Sequence, residues 1–256
     1  MLQAHSFLWH YLWAAPSLLL LLLAGRLWRL SLHKRYPLFL ALAIASAVEQ
    51  LTLYACDLAP SVAAETWWEI FWAGLLVEGV LKFALVGEIF SQVFGAYASI
   101  AKLGKLLIRG VGAVLVLTAG LAAAYAPKDS LFGIVSGAHL LEQAIYLIEA
   151  GLLVFIFFLS SYFRLSFSRP LFGIALGLSI SACVHLATWA IATNAGLPTE
   201  KQVILDFVNM GTYHFCVLIW IYYLLVPRKA SATVAVPLPE NNLAVWNREL
   251  ERLVQQ

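Results

Sequence analysis

Glu49, Glu78, Lys82, Glu142, Glu149, His185, Asp206 and His214 all stand inside stretches of this chain that are apolar enough to cross a lipid bilayer. A charged side chain at the bilayer centre costs about 2.5–3.5 kcal/mol to insert, so such residues turn toward the protein interior, find partners and mark functional sites. The set holds carboxylates, an ammonium and imidazoles. In a dry interior those groups can hold a small polar ligand or ion, relay protons, or donate to a metal. Glu78 and Lys82 are four residues apart with Glu first, the favourable order for a pair on one helix face.

Sequence position converts to depth at about 1.5 Å of rise per residue, counted from the basic flank of each predicted span. On that scale Glu49, Glu78, Lys82, Glu149, His185 and His214 share one level, roughly 18–24 Å deep. A second tier follows toward the outside: His139, Glu142 and Gln143 on the fifth span, Asp206 and Asn209 on the seventh. Spacing supplies the facing. His139, Gln143, Tyr146 and Glu149 fall at i, i+4, i+7 and i+10, with Glu142 beside them; Asp206, Asn209 and Tyr213 share one helix face, as do Ser181, His185 and Thr188. The stripes predict a polar cleft that opens outward and narrows near the midplane. Each piece also has a plain structural reading, an internal ion pair for Glu78 with Lys82 and a hydrogen-bonded core histidine for His185. The shared depth favours a binding or proton-handling site.

The elements that must position these groups are long apolar helices. The chain is 62% hydrophobic and 12% charged with mean hydropathy +0.85, about half the usual charged fraction of a soluble domain. An all-α integral membrane protein follows, a seven-helix bundle with spans at 6–24, 37–56, 67–95, 111–126, 131–163, 170–194 and 203–226. The first is read as a retained helix, because no basic residue precedes it and Arg26 and Arg29 follow it. The fourth carries no ionisable group but Tyr125 and is expected to face lipid over much of its surface. The fifth, at about 50 Å as one helix, exceeds a hydrocarbon core of about 30 Å and must tilt, bend or protrude.

Thirteen of the sixteen Lys and Arg residues lie in the connections after spans one, three and five and in the tail, which places the N-terminus outside and the C-terminus in the cytoplasm. Residues 1–227 then form the membrane domain and 228–256 a cytoplasmic tail. In the tail, Leu243, Trp246, Leu250 and Leu253 repeat at helical spacing, for a helix that lies on the membrane or docks a partner protein. The membrane is expected to be a bacterial inner or plasma membrane.

Several chemistries lack their residues. There is no GxxxxGK[ST], no GxSxG and nothing that suggests nucleic-acid binding. Cys56, Cys183 and Cys216 form no metal-ligand spacing and imply no disulfide framework. His185, His214 and Glu149 are the candidate ligands should a metal or haem be present, but there is no HExxH, no helix with two histidines at i and i+4, and Lys82 would oppose a cation nearby. The seventh span has no lysine for a retinal Schiff base; Lys82, one turn from Glu78, is the residue that could hold an aldehyde. Gly173 and Gly177 form a GxxxG that suits close packing within the monomer. The leading expectation is a receptor-like or sensory bundle that binds a small ligand or ion from the outer side and signals through a partner. A metal- or haem-dependent intramembrane enzyme and a proton-coupled transporter of small solutes are the alternatives.

Overall fold

A computed structural model describes residues 4–95, 131–194 and 199–226, together with the helical positions Leu106, Gly110, Ala113, Leu117, Arg248 and Arg252. The described residues contain six long helices and no strands: α1 Phe7–Arg29, α2 Pro37–Leu58, α3 Ala64–Phe94, α4 Leu131–Tyr162, α5 Arg169–Asn194 and α6 Thr199–Leu225, with a short 3-10 turn at Leu32–Lys34. Each is long and apolar enough to cross a membrane. Helices α4 to α6 correspond to the fifth to seventh predicted spans. The fourth predicted span and the tail fall, apart from the isolated positions, outside the described residues.

Local chemistry sets the helix ends. Ser6 caps α1 by accepting a hydrogen bond from the Trp9 backbone N–H at 3.3 Å. Pro37 begins α2 at the position where its missing N–H costs nothing. Glu88 of α3 accepts from Gln92 Nε2, one turn further along the same helix, at 3.0 Å.

The burial pattern is inverted relative to a water-soluble bundle. Val80 is 70% exposed and Leu22 66%, whereas Glu149 is 1% exposed. Large apolar side chains on the outside and carboxylates on the inside fit a hydrocarbon surround, where outward hydrophobic groups cost nothing and inward charges are satisfied by one another. These helices make a multi-pass membrane protein.

The six helices form a closed ring in chain order, each against its neighbours, with α6 returning to α1. The α1–α2, α2–α3, α4–α5 and α5–α6 pairs are antiparallel. The α3–α4 pair is parallel: Trp68 meets His139, Gly79 faces Ile145 and Lys82 meets Glu149, so both helices advance in the same direction. Phe94 and Leu131 therefore lie at opposite ends of the bundle.

Packing divides the ring along its length. In the half away from the α1 N-terminus, Leu23, Leu27, Ile89, Ile156, Ile174 and Val217 belong to one buried apolar cluster. The GxxxG of α5 serves this half: a Cβ at Gly173 would collide with Cβ of Tyr223, and one at Gly177 with the Trp220 indole. Both glycines thus admit aromatic rings of α6, and Trp220 Nε1 donates to the Ile174 carbonyl at 3.3 Å. The expected use of the motif in packing within the monomer is the one observed.

Candidate functional site

The other half of the ring holds a cavity beside a small apolar cluster, Leu75, Phe83, Leu141 and Ile145, that packs α3 against α4. The cavity, of about 330 Å³, is lined by all six helices, from Trp9, Trp67 and Asp206 near the α1 N-terminal end down to Leu20, Phe39, Leu178 and Trp220. Its two sides differ. Helices α1 and α2 and the start of α3 present Trp9, Leu12, Trp13, Leu42, Leu53 and Phe71, whereas Glu78 and Lys82 of α3, Glu142 and Glu149 of α4, His185 of α5 and Asp206 of α6 supply the charged side.

The helical stripes read from sequence put these groups in contact. Lys82 Nζ stands 3.6 Å from Glu78 Oε2, one turn earlier on α3, and 3.8 Å from Glu149 Oε2 on α4. The ammonium also lies 4.4 Å from the centre of the Tyr146 ring, a cation–π contact. Its side chain is only 12% exposed. Neither ion pair is at hydrogen-bond distance, and Glu149 Oε2 has no hydrogen-bond partner.

Tyr146 connects this tier to the next. Its ring stacks on His185 with centroids 4.2 Å apart. His185 Nε2 is 3.1 Å from Glu142 Oε1, and the other oxygen of Glu142 is 3.5 Å from His139 Nδ1. His139, Glu142, His185, Tyr146, Lys82 and the carboxylates of Glu78 and Glu149 thus form one continuous chain of polar contacts. At the edge of this chain, Thr188 Oγ1 lies 2.9 Å from both the His185 carbonyl and Asn209 Oδ1. Across the cavity Trp13 Nε1 donates to Gln50 Oε1 at 3.2 Å, and Trp67 Nε1 to the Leu53 carbonyl at 3.2 Å.

Of the eight residues singled out from sequence, Glu78, Lys82, Glu142, Glu149, His185 and Asp206 line the cavity. Glu49 is set between α2 and α3: its carboxyl occupies the space that a side chain on Gly74 would fill, and its Oε2 is buried without a hydrogen-bond partner among the described residues. His214 packs against Tyr11 of α1, with ring centroids 5.7 Å apart, and is not among the lining residues. Its neighbour Tyr213 takes the inward position. The partner of His185 is Glu142, which depth counting had assigned to the outer tier. Among the described residues no three His, Cys, Asp or Glu side chains come together in a metal-holding group. Sequence reasoning did not anticipate the aromatic side contributed by Trp9 and Trp13 or the bridging role of Tyr146; the i, i+3 spacing of His139 and Glu142 was the available signal for their pair.

No family model, curated protein or solved structure matches this chain.

Proposed function

We propose that this protein is a receptor-like or sensory membrane protein that binds a small polar ligand or ion in the cavity and passes a helix shift to a partner protein. The observation that carries the reading is the arrangement of the ring: a 330 Å³ cavity with a buried ion network, above a half packed with apolar side chains. Concave sites with mostly apolar linings and a few convergent polar groups are the usual form of small-molecule pockets. The apolar half favours a receptor over a transporter, whose solute would have to cross it. The separation of His214 from the cavity lining and the lack of a three-donor cluster among the described residues give the metalloenzyme reading no support.

The same reading includes the topology. Because α3 and α4 run parallel, the chain between them has to return across the bundle, and we take 111–126 as that crossing, which makes seven spans. Leu106, Gly110, Ala113 and Leu117, all exposed at i, i+4, i+7 and i+11, fit a lipid-facing side for this part of the chain. The basic residues orient the N-terminus outward, so the cavity faces outside and the tail of residues 228–256 meets the cytoplasmic partner.

The test is the full chain purified in mild detergent, measured for metal content and visible absorption and then screened with small polar ligands against thermal stability. The expected result is a colourless protein without stoichiometric metal, stabilised by a ligand whose effect is lost in Glu149→Gln and His185→Ala. Stoichiometric metal or a Soret band that disappears in the His185→Ala/His214→Ala double variant would overturn the receptor reading in favour of an enzyme or redox protein.

A further inference from the structure

We infer that the cavity takes a small organic cation with an aromatic or apolar body; this rests on the ligand-pocket reading above and names its ligand class. Charge carries the first part. Among the described residues, the carboxylates of Glu78, Glu142, Glu149 and Asp206 line the cavity against one ammonium, Lys82, and one imidazole, His185. Counted with all four carboxylates ionised, the formal surplus with His185 protonated is still two negative charges, and protonating His139 as well leaves one. In a low-dielectric interior such a surplus draws in a cation.

Two carboxylates are left for it. Glu142 is held by His185 and His139, and Lys82 is one cation divided between Glu78 and Glu149. Glu149 Oε2, on a side chain 99% buried, has no hydrogen bond, because Lys82 stops at 3.8 Å. Asp206 is exposed at the mouth and, among the described residues, has no ion-pair partner within 4 Å. An ammonium entering past Asp206 reaches the free oxygen of Glu149 and supplies the hydrogen bond that Lys82 does not make.

The opposite side sets the rest of the molecule. Trp9, Trp13, Trp67 and Phe71 line it with aromatic surface, which buries a hydrocarbon or aromatic body. An anion would meet the carboxylate surplus, and a fully polar cation would leave the aromatic side unfilled. The ligand's head faces α4 to α6 and its body faces α1 and α2.

The experiment uses the full chain in detergent and three probes that share a phenylethyl body: phenethylamine, the neutral 2-phenylethanol and the anionic 3-phenylpropionate. Phenethylamine is expected to raise the unfolding temperature at concentrations where the other two leave it unchanged. Glu149→Gln and Asp206→Asn should each weaken phenethylamine by about tenfold or more, the scale of losing a charge-assisted hydrogen bond. Leu178→Trp, which fills the cavity floor, should abolish the effect, and Glu69→Gln, outside the lining, should not alter it. Asp206→Asn, at the exposed mouth, keeps the test valid if Glu149→Gln does not fold. Stabilisation by 3-phenylpropionate or 2-phenylethanol in place of the amine, or by none of the three, overturns the cation assignment, while the wider ligand screen decides the pocket reading separately. An amine effect that survives Leu178→Trp together with both carboxylate variants places the amine elsewhere and also overturns it.

Discussion

Replacing Lys82 by methionine removes the cation between Glu78 and Glu149 while keeping the length and the apolar stem of the side chain. At an effective dielectric of about 20, attractions across the observed 3.6 and 3.8 Å amount to about 4–5 kcal/mol each before desolvation is subtracted. The variant does not lose that gross sum. Breaking a buried pair leaves uncompensated charge, which typically costs about 3–5 kcal/mol. An orphaned carboxyl can escape by taking up a proton, which for a group of ordinary pKa near 4.3 costs about 3.7 kcal/mol at pH 7 and about 1 kcal/mol at pH 5. The destabilisation of Lys82→Met should therefore be about 3–4 kcal/mol near pH 7 and shrink as the pH falls. Reversible unfolding in mixed micelles, run on Lys82→Met, Glu149→Gln and the double variant, measures it. The double variant should recover at least about 1 kcal/mol relative to the sum of the single ones, because the second change removes the orphan. A Lys82→Met protein as stable as the parent at neutral pH, or a strictly additive double variant, would refute the ion network.

Other expectations are independent of that network. Gly173→Val drives a side chain into Cβ of Tyr223 and should destabilise the α5–α6 pair by about 1–3 kcal/mol in the same unfolding assay. Gly151→Ala, with no neighbour within 4 Å, should be neutral or gain up to about 1 kcal/mol from helix propensity. Val80→Lys places a charge on an outward position that is 70% exposed; in a bilayer it should cost about 2.5–3.5 kcal/mol and reduce the folded yield from membranes, an effect absent if that face met water. Trp13→Phe deletes the hydrogen bond to Gln50 and should cost about 0.5–1.5 kcal/mol by thermal unfolding.

The helices were legible because hydrocarbon imposes a simple rule: apolar runs of sufficient length must be helical to satisfy their own backbone. Predicted boundaries at 37–56 and 170–194 differ from α2 and α5 by one or two residues, whereas α1 continues to Arg29, five residues beyond its predicted end. Arg26 and Arg29 there can lie along the helix and reach the interface, so basic residues did not mark the helix end. The inward stripe of α4 was legible for the same periodic reason, and it delivered Glu142, Tyr146 and Glu149 to one cavity.

Depth alone was a poorer guide than facing. His214 and Tyr213 are adjacent in sequence and thus at nearly the same depth, yet they point about 100° apart around the helix, and only Tyr213 lines the cavity. Tier assignment blurred for a similar reason. Tilt and side-chain reach let His185 pair with Glu142 rather than with groups counted at its own level. The aromatic side from Trp9 and Trp13 was not legible, because aromatic anchors at a span start and cavity-lining aromatics have the same composition. The close approach of α2 to α3 at Gly74, where Glu49 sits, depends on how the two helices cross, which spacing along a single helix does not encode.

The most direct measurement of the central claim is thiol accessibility in intact cells. Starting from a variant lacking Cys56, Cys183 and Cys216, single cysteines are introduced at Ser181 and Met210, which line the cavity, and at Ala175, which is 0% exposed in the apolar half. A membrane-impermeant cationic thiol reagent added from outside should label positions 181 and 210 and leave 175 unlabelled. Labelling of all three alike, of none, or only when the reagent is supplied from the cytoplasmic side would contradict an outward-facing cavity closed below by packed side chains.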